Sequence, residues 1–171
     1  ENVLLNNGQT GSTIFGTGNN TGLSGAFSST TDTLTAPSGG QARVEPTTGL
    51  LNNVTISVPG GYFTSLVANP FFGSGTAALS VYYYDATGGG FSTANFNHAL
   101  SNGSNYFTIY ATGNDKILSI TVNSTDGFQD LRQNRIGGAT IGAVPEPASL
   151  VMGCVAIGLV GMAGLRRRRA A

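Results

Sequence analysis

Val54-Thr55-Ile56-Ser57-Val58, followed at once by Pro59-Gly60-Gly61, decides how this chain is read. Apolar and polar residues alternate with period two, the spacing of a strand that buries one face and wets the other. The Pro-Gly-Gly that follows ends the strand in turn chemistry. The pattern recurs along the chain. Leu79, Val81 and Tyr83 alternate with Ser80 and Tyr82; Phe107 and Ile109 flank Thr108; Leu118, Ile120 and Val122 alternate with Ser119 and Thr121. Further turn clusters stand at Pro37-Ser38-Gly39-Gly40, Gly88-Gly89-Gly90, Gly113-Asn114-Asp115 and Asp126-Gly127. No stretch before residue 138 carries a helical period.

About ten short strands at roughly 8–12-residue spacing predict an all-β body, an antiparallel β-sandwich or jelly roll. A parallel β-helix needs a fixed repeat. The only echo, Leu-Leu-Asn-Asn at 4–7 and 50–53, does not supply one. The expected organisation is a β-sandwich ectodomain over 1–137, a linker over 138–143 and a separate tail over 144–169.

Composition fits a protein of the cell exterior. Charged residues are 9% of the 171, Gly numbers 26, and nine Phe with six Tyr are enough to organise a core. Over residues 1–147 four bases (Arg43, Lys116, Arg132, Arg135) face eight acids, a net charge of −4. Such a surface argues against nucleic acid, whose phosphates call for a basic face. The lone Cys154 has no partner for an internal disulfide, so the body depends on its core alone. The chain opens on Glu1 rather than Met, so a signal peptide or further chain is expected upstream.

The tail has three parts. Val144-Pro145-Glu146-Pro147 comes first; neither Pro has an N–H, and each pushes its predecessor towards extended geometry. Ala148 to Leu165 is then free of charge and apolar or small throughout. As a helix its 18 residues reach about 27 Å, close to a hydrocarbon core of about 30 Å. A soluble core helix would show a polar face, and only Ser149 and Cys154 break this one. Arg166, Arg167, Arg168 and Arg169 complete it, a cluster expected to stay cytoplasmic while the body lies on the other side.

Val144–Pro147, the apolar span and the Arg cluster together resemble the PEP-CTERM sorting tail of Gram-negative bacteria, which also occurs on some ice-binding proteins. The resemblance covers residues 144–169. It implies recognition by an exosortase, cleavage near the motif, and delivery of the body to the cell surface or extracellular matrix. On that reading the precursor is exported and anchored in the inner membrane by a transmembrane helix at 148–165. A GPI signal ends apolar and lacks an Arg cluster. The body is more loosely similar to other β-rich bodies with this tail, as at Gly127-Phe128-Gln129-Asp130-Leu131-Arg132-Gln133, and that likeness implies no activity.

Signals for chemistry are sparse. His98 is the only histidine and reads as a surface loop residue in Phe-Asn-His-Ala. Asp85, Asp115, Asp126 and Asp130 have the chemistry for paired-carboxylate hydrolysis of glycosides if they converge, and for a structural Ca²⁺. Their places beside turns are more simply explained by local hydrogen bonds, and no calcium-loop spacing is present. Tyr82 and Tyr84 share one face of a strand and Tyr83 takes the other. If exposed, Tyr82 and Tyr84 form a surface for stacking on sugar rings; packing on both faces is the plainer reading. The expected function is therefore a non-catalytic surface or exopolysaccharide-matrix protein with carbohydrate as its ligand. No catalytic residue, metal ligand or cofactor is assigned. A secreted carbohydrate-active enzyme and a purely structural coat component remain the alternatives.

Overall fold

The computed structural model describes residues 1–37 and 41–142, and these form strands and turns with no helix. The strands are β1 (Val3–Leu5), β2 (Thr10–Gly11), β3 (Thr13–Gly18), β4 (Ser24–Ser28), β5 (Leu34–Thr35), β6 (Arg43–Pro46) and β7 (Leu51–Ser57). They continue as β8 (Gly61–Tyr62), β9 (Ser65–Gly73), β10 (Thr76–Asp85), β11 (Gly90–Ala99), β12 (Phe107–Tyr110), β13 (Lys116–Gly137) and β14 (Thr140–Ile141). Twelve of them make one sheet, β8 and β14 make a second small one, and every pairing is antiparallel. That pairing removes the β-helix alternative.

β13, 22 residues long, organises the sheet. Its first half lies between β7 and β10, with Ile120 opposite both Ile56 and Val81. Its second half lies between β6 and β9, with Leu131 opposite both Val44 and Pro70. One arm thus runs β1-β3-β4-β7 and out through β10-β11; the other runs β2-β5-β6 and out through β9-β12. The two layers are a single sheet that curls through β13, rather than two separate sheets.

Both arms turn their apolar faces onto one core. Ile14, Phe27, Leu34, Val44, Ile56, Phe63, Leu66, Ile120, Phe128 and Leu131 have no exposed surface. At about 1.5–3 kcal/mol for each large side chain fully buried, this core supplies the stability that disulfides supply elsewhere. The alternation of 54–58 is realised directly: Val54, Ile56 and Val58 are buried and Thr55 and Ser57 are not.

Three expectations are corrected. Asp126-Gly127 does not reverse the chain. Gly127 adopts φ +73° inside β13, its N–H donating to Ser124 Oγ at 3.1 Å. The strand bulges there, so that Asn123 faces Asn53 but Phe128 faces Leu51. Ile117, rather than Leu118, enters the core, because the β10–β13 register shifts between Tyr82/Ser119 and Tyr83/Ile117. His98 stands in β11 and not in a loop. That strand escaped the alternation test because most of its residues on both faces are exposed.

Thr140–Ile141, inside the expected linker, pairs with Gly61–Tyr62. Among the described residues no helix is long and apolar enough to cross a membrane. The expected span at 148–165, the motif at Val144–Pro147, the Arg166–Arg169 cluster and the Pro37–Gly40 turn beyond its first residue lie outside the described residues.

Candidate functional site

The hairpin of β10 and β11 carries three of the exposed aromatic rings, Tyr82, Phe91 and Phe96; others stand apart at Phe15, Phe72 and Tyr106. Asp85 builds its turn: Oδ1 accepts the N–H groups of Thr87 and Gly88, both at 2.8 Å, and Gly89 at φ +69° closes it. The register that follows pairs Tyr84 with Phe91 and Leu79 with Phe96. Period two then sends Phe91 to the side of Tyr82 and Tyr84, and Phe96 to the side of Leu79 and Val81. The odd spacing of Phe91 and Phe96 gives β11 an aromatic ring on each face.

On the first face Tyr82 and Phe91 stack with centroids 5.7 Å apart and planes 24° apart. Tyr84 meets the same Phe91 edge-on at 5.7 Å. Tyr82 and Tyr84 share a face as expected, yet differ in access: Tyr82 is 42% exposed and Tyr84 is 8%. The accessible pair is therefore Tyr82 with Phe91.

On the second face a groove runs between β11 and β12, the last strands of the two arms. β11 pairs only with β10 and β12 only with β9, so each leaves one edge open. Leu79, Val81, Tyr83 and Ile109 line the groove with Phe96 and Tyr110, in two neighbouring cavities of about 180 and 450 Å³ that share Phe96, Ile109, Tyr110 and Thr112. Phe96 is 51% exposed and Tyr110 70%. Asn97, His98, Thr108, Thr112 and Asp115 supply its polar groups. An apolar floor with exposed rings and a few hydrogen-bonding groups is suited to a sugar, which offers an apolar ring face and hydroxyls at its edge.

The groove is held in shape from below. His98 Nε2 lies 3.1 Å from the carbonyl of Asn105, and its ring meets Phe107 edge-on at 5.7 Å. Asn105 is buried and pins its own loop: Nδ2 donates to the carbonyls of Pro70, Ser101 and Gly103, and Oδ1 accepts from the Ser101 backbone.

The four aspartates do not converge. Asp85 serves its turn, and Asp115 Oδ1 accepts the Ala86 N–H at 2.9 Å. Asp126 lies against Gly75. Asp130 is fully buried and paired with Arg43 and Arg132. Among the described residues no three of His, Cys, Asp and Glu come close enough to hold a metal ion. Asp32 has a structural task. Burial opposes its charge, but the Thr31 hydroxyl and the N–H groups of Asn52 and Asn53 outweigh that and hold its carboxyl below the usual range.

Phe91, Phe96, Tyr110 and the groove were not singled out from the sequence. A usable signal was present in Gly88-Gly89-Gly90, separated by four residues from the Leu79–Tyr83 alternation. A hairpin there predicts a returning strand across 90–99, with Phe91 and Phe96 on opposite faces.

A PEP-CTERM protein-sorting motif matches residues 143–169. It implies an exported protein with a C-terminal sorting signal, processed by an exosortase. No curated protein and no solved structure matches the chain.

Proposed function

We propose that the body is a non-catalytic polysaccharide-binding domain of a surface or matrix protein, delivered by its tail. The span at 148–165 anchors the precursor in the inner membrane with Arg166–Arg169 in the cytoplasm, until an exosortase cuts near Val144–Pro147. The observation that carries the binding reading is the set of exposed rings around β11: Tyr82 and Phe91 on one face, Phe96 and Tyr110 on the other. Tyr82 and Phe91 stack on each other and Phe96 and Tyr110 line one groove, and contiguous exposed apolar surface rimmed by polar groups marks interaction sites. The non-catalytic reading is supported by the groove's acids. Asp115 is the one carboxylate lining it among the described residues, whereas glycoside hydrolysis uses two across the bond.

The test is retention of the secreted body on exopolysaccharide from a strain that makes it. Phe96→Ala with Tyr110→Ala, and separately Tyr82→Ala with Phe91→Ala, should each weaken retention by about tenfold or more, given roughly 1 kcal/mol for each stacked ring. Equal retention of both double variants and the parent would refute the stacking reading. The open edges of β11 and β12 favour one rival, a coat protein that assembles edge to edge. It would sediment as an assembly without polysaccharide.

A further inference from the structure

Three of the four bases of the body line a single cavity. Arg43, Arg132 and Arg135 surround an open hollow of about 490 Å³ with Asn2, Gln41 and Gln133, and no acid lines it. This concentration stands out in a body whose net charge is negative. Two carboxylates pair with these arginines: fully buried Asp130 takes Arg43 and Arg132, and Glu45 takes Arg43. Three cations against two anions leave one positive charge over. It falls to Arg135, which is exposed and has no carboxylate partner among the described residues; its Nε donates to Asn2 Oδ1 at 3.1 Å.

The backbone is bent to make this arrangement. Residues 132 and 135 are an odd number apart, so in a regular strand their side chains would point to opposite faces. In β13 the register slips between them: Arg132 faces Asn69 and Arg135 faces Val67, three residues against two. The extra residue restores a common face, and Gln133 takes φ +51°, an unfavourable region for a residue with a side chain. Strain of this kind persists where surroundings hold it, often at ligand sites.

We propose that this cavity binds the carboxylate-bearing sugar of an acidic polysaccharide, a uronate, with Arg135 as the anion's main partner. A guanidinium offers a planar fork that matches a carboxylate. One surplus charge suits a monoanion, and the amides of Asn2, Gln41 and Gln133 suit sugar hydroxyls on either side. This inference rests on the reading of the body as a polysaccharide binder and names what kind it takes, on a surface separate from the aromatic groove.

The experiment measures binding of the full chain, in non-ionic detergent micelles, to polygalacturonate, its methyl ester, neutral dextran and polyphosphate. Binding should favour polygalacturonate over its ester and fall as salt rises. Arg135→Ala should weaken it about tenfold and Arg135→Glu further, as expected for loss of a hydrogen-bonded charge. Lys116→Ala, which removes the fourth base from beside Tyr62, should change nothing. Arg135 makes one side-chain bond, so these variants keep the fold, and circular dichroism checks it. Phe96→Ala with Tyr110→Ala should weaken neutral and acidic polymers alike, whereas the Arg135 variants act on the acid alone. Failure of the groove reading therefore leaves the Arg135 effect standing. Unchanged polygalacturonate binding in both Arg135 variants, an equal loss in Lys116→Ala, no binding of polygalacturonate, or tighter binding of polyphosphate would each overturn the proposal.

Discussion

Replacing Asp130 by alanine should cost more stability than any other change to a charged residue of the body. Arg43 and Arg132 are direct cross-strand neighbours on β6 and β13, a like-charged pair that destabilises a sheet when left alone. Asp130 lies between them with no exposed surface. Its Oδ2 accepts from Arg43 Nε at 3.1 Å and Arg132 Nη2 at 2.9 Å, while Oδ1 takes Arg132 Nε. Breaking a buried ion pair by removing one partner costs about 3–5 kcal/mol, because a charge is left uncompensated. Both arginines keep over a quarter of their side-chain surface in water, 26% and 29%, so the lower end applies. Arg132 also keeps its place over Phe71, with 3.5 Å from its guanidinium carbon to the ring centroid. With a urea slope of about 1–3 kcal/mol/M, a loss near 3 kcal/mol moves the midpoint down by about 1–3 M. The residual Arg43–Arg132 repulsion adds a second signature, since 1 M salt shortens screening to about 3 Å. Asp130→Ala should regain stability in 1 M NaCl, measured against the parent's own salt response. The assay is urea unfolding of the body followed by circular dichroism at low and high NaCl. A cost below about 1 kcal/mol with the parent's salt dependence would refute this account of Asp130.

Gly127→Ala should destabilise by about 2–4 kcal/mol, since a Cβ there would stand 2.7 Å from Leu50 Cβ at φ +73°. Gly113→Ala, at φ +60° with open space around it, should cost only about 1 kcal/mol, and thermal melts of the two variants compare them. Asp32 gives a pH signature. Its folded carboxyl titrates below its unfolded value, so its contribution is present above the unfolded value near 4 and is lost as pH falls through the lower folded one. The stability gap between parent and Asp32→Asn should be about 1–2 kcal/mol at pH 7 and should close in acid below pH 4; a gap independent of pH would count against the Asp32 hydrogen bonds. In the tail, replacing Arg166–Arg169 with uncharged residues should weaken the cytoplasmic signal of a reporter fused after Ala171 in a strain lacking exosortase. An inactive reporter on the parent tail, at normal expression, would contradict the proposed topology.

What could be seen in the sequence was what lies close together along it. The tail spans 26 consecutive residues, and its three parts explain one another without any folding. The alternation of Val54, Ile56 and Val58 was legible because β7 buries one face between two neighbours. β11 was not, because it is an edge strand exposed on both faces and never alternates. Asp126-Gly127 misled for a different reason: positive φ serves a hairpin turn and a mid-strand bulge equally, and only the partner strands distinguish them. Ile117 took the place of Leu118 through a one-residue bulge, which flips face without changing composition. The arginine cavity was out of reach because Arg43 and Arg132 lie 89 residues apart and meet only through the β6–β13 pairing.

The end of the fold limits where the body can act before processing. Among the described residues Ile141 is the last strand residue, held opposite Gly61, where a larger side chain would strike the backbone of Thr140. Val144 follows three residues later and Ala148 seven residues later. A chain reaches at most about 3.3–3.6 Å per residue, so seven residues span no more than about 25 Å. On the proposed topology an anchored precursor therefore keeps the β8–β14 end of its body within that distance of the membrane. Val144 stands only three residues beyond Ile141, so on the proposed reading an exosortase grips a motif that begins within about 11 Å of β14. On the same proposal, release exchanges this narrow shell for the matrix. On the proposed reading the aromatic rings around β11 and the arginines between β6 and β13 then engage polymer at two places on one small domain. Two weak contacts on the same chain raise avidity well above either one alone, provided the polymer spans both. Under that proposal a domain with low charge and no disulfide in its body is retained in a polysaccharide layer without one deep binding site.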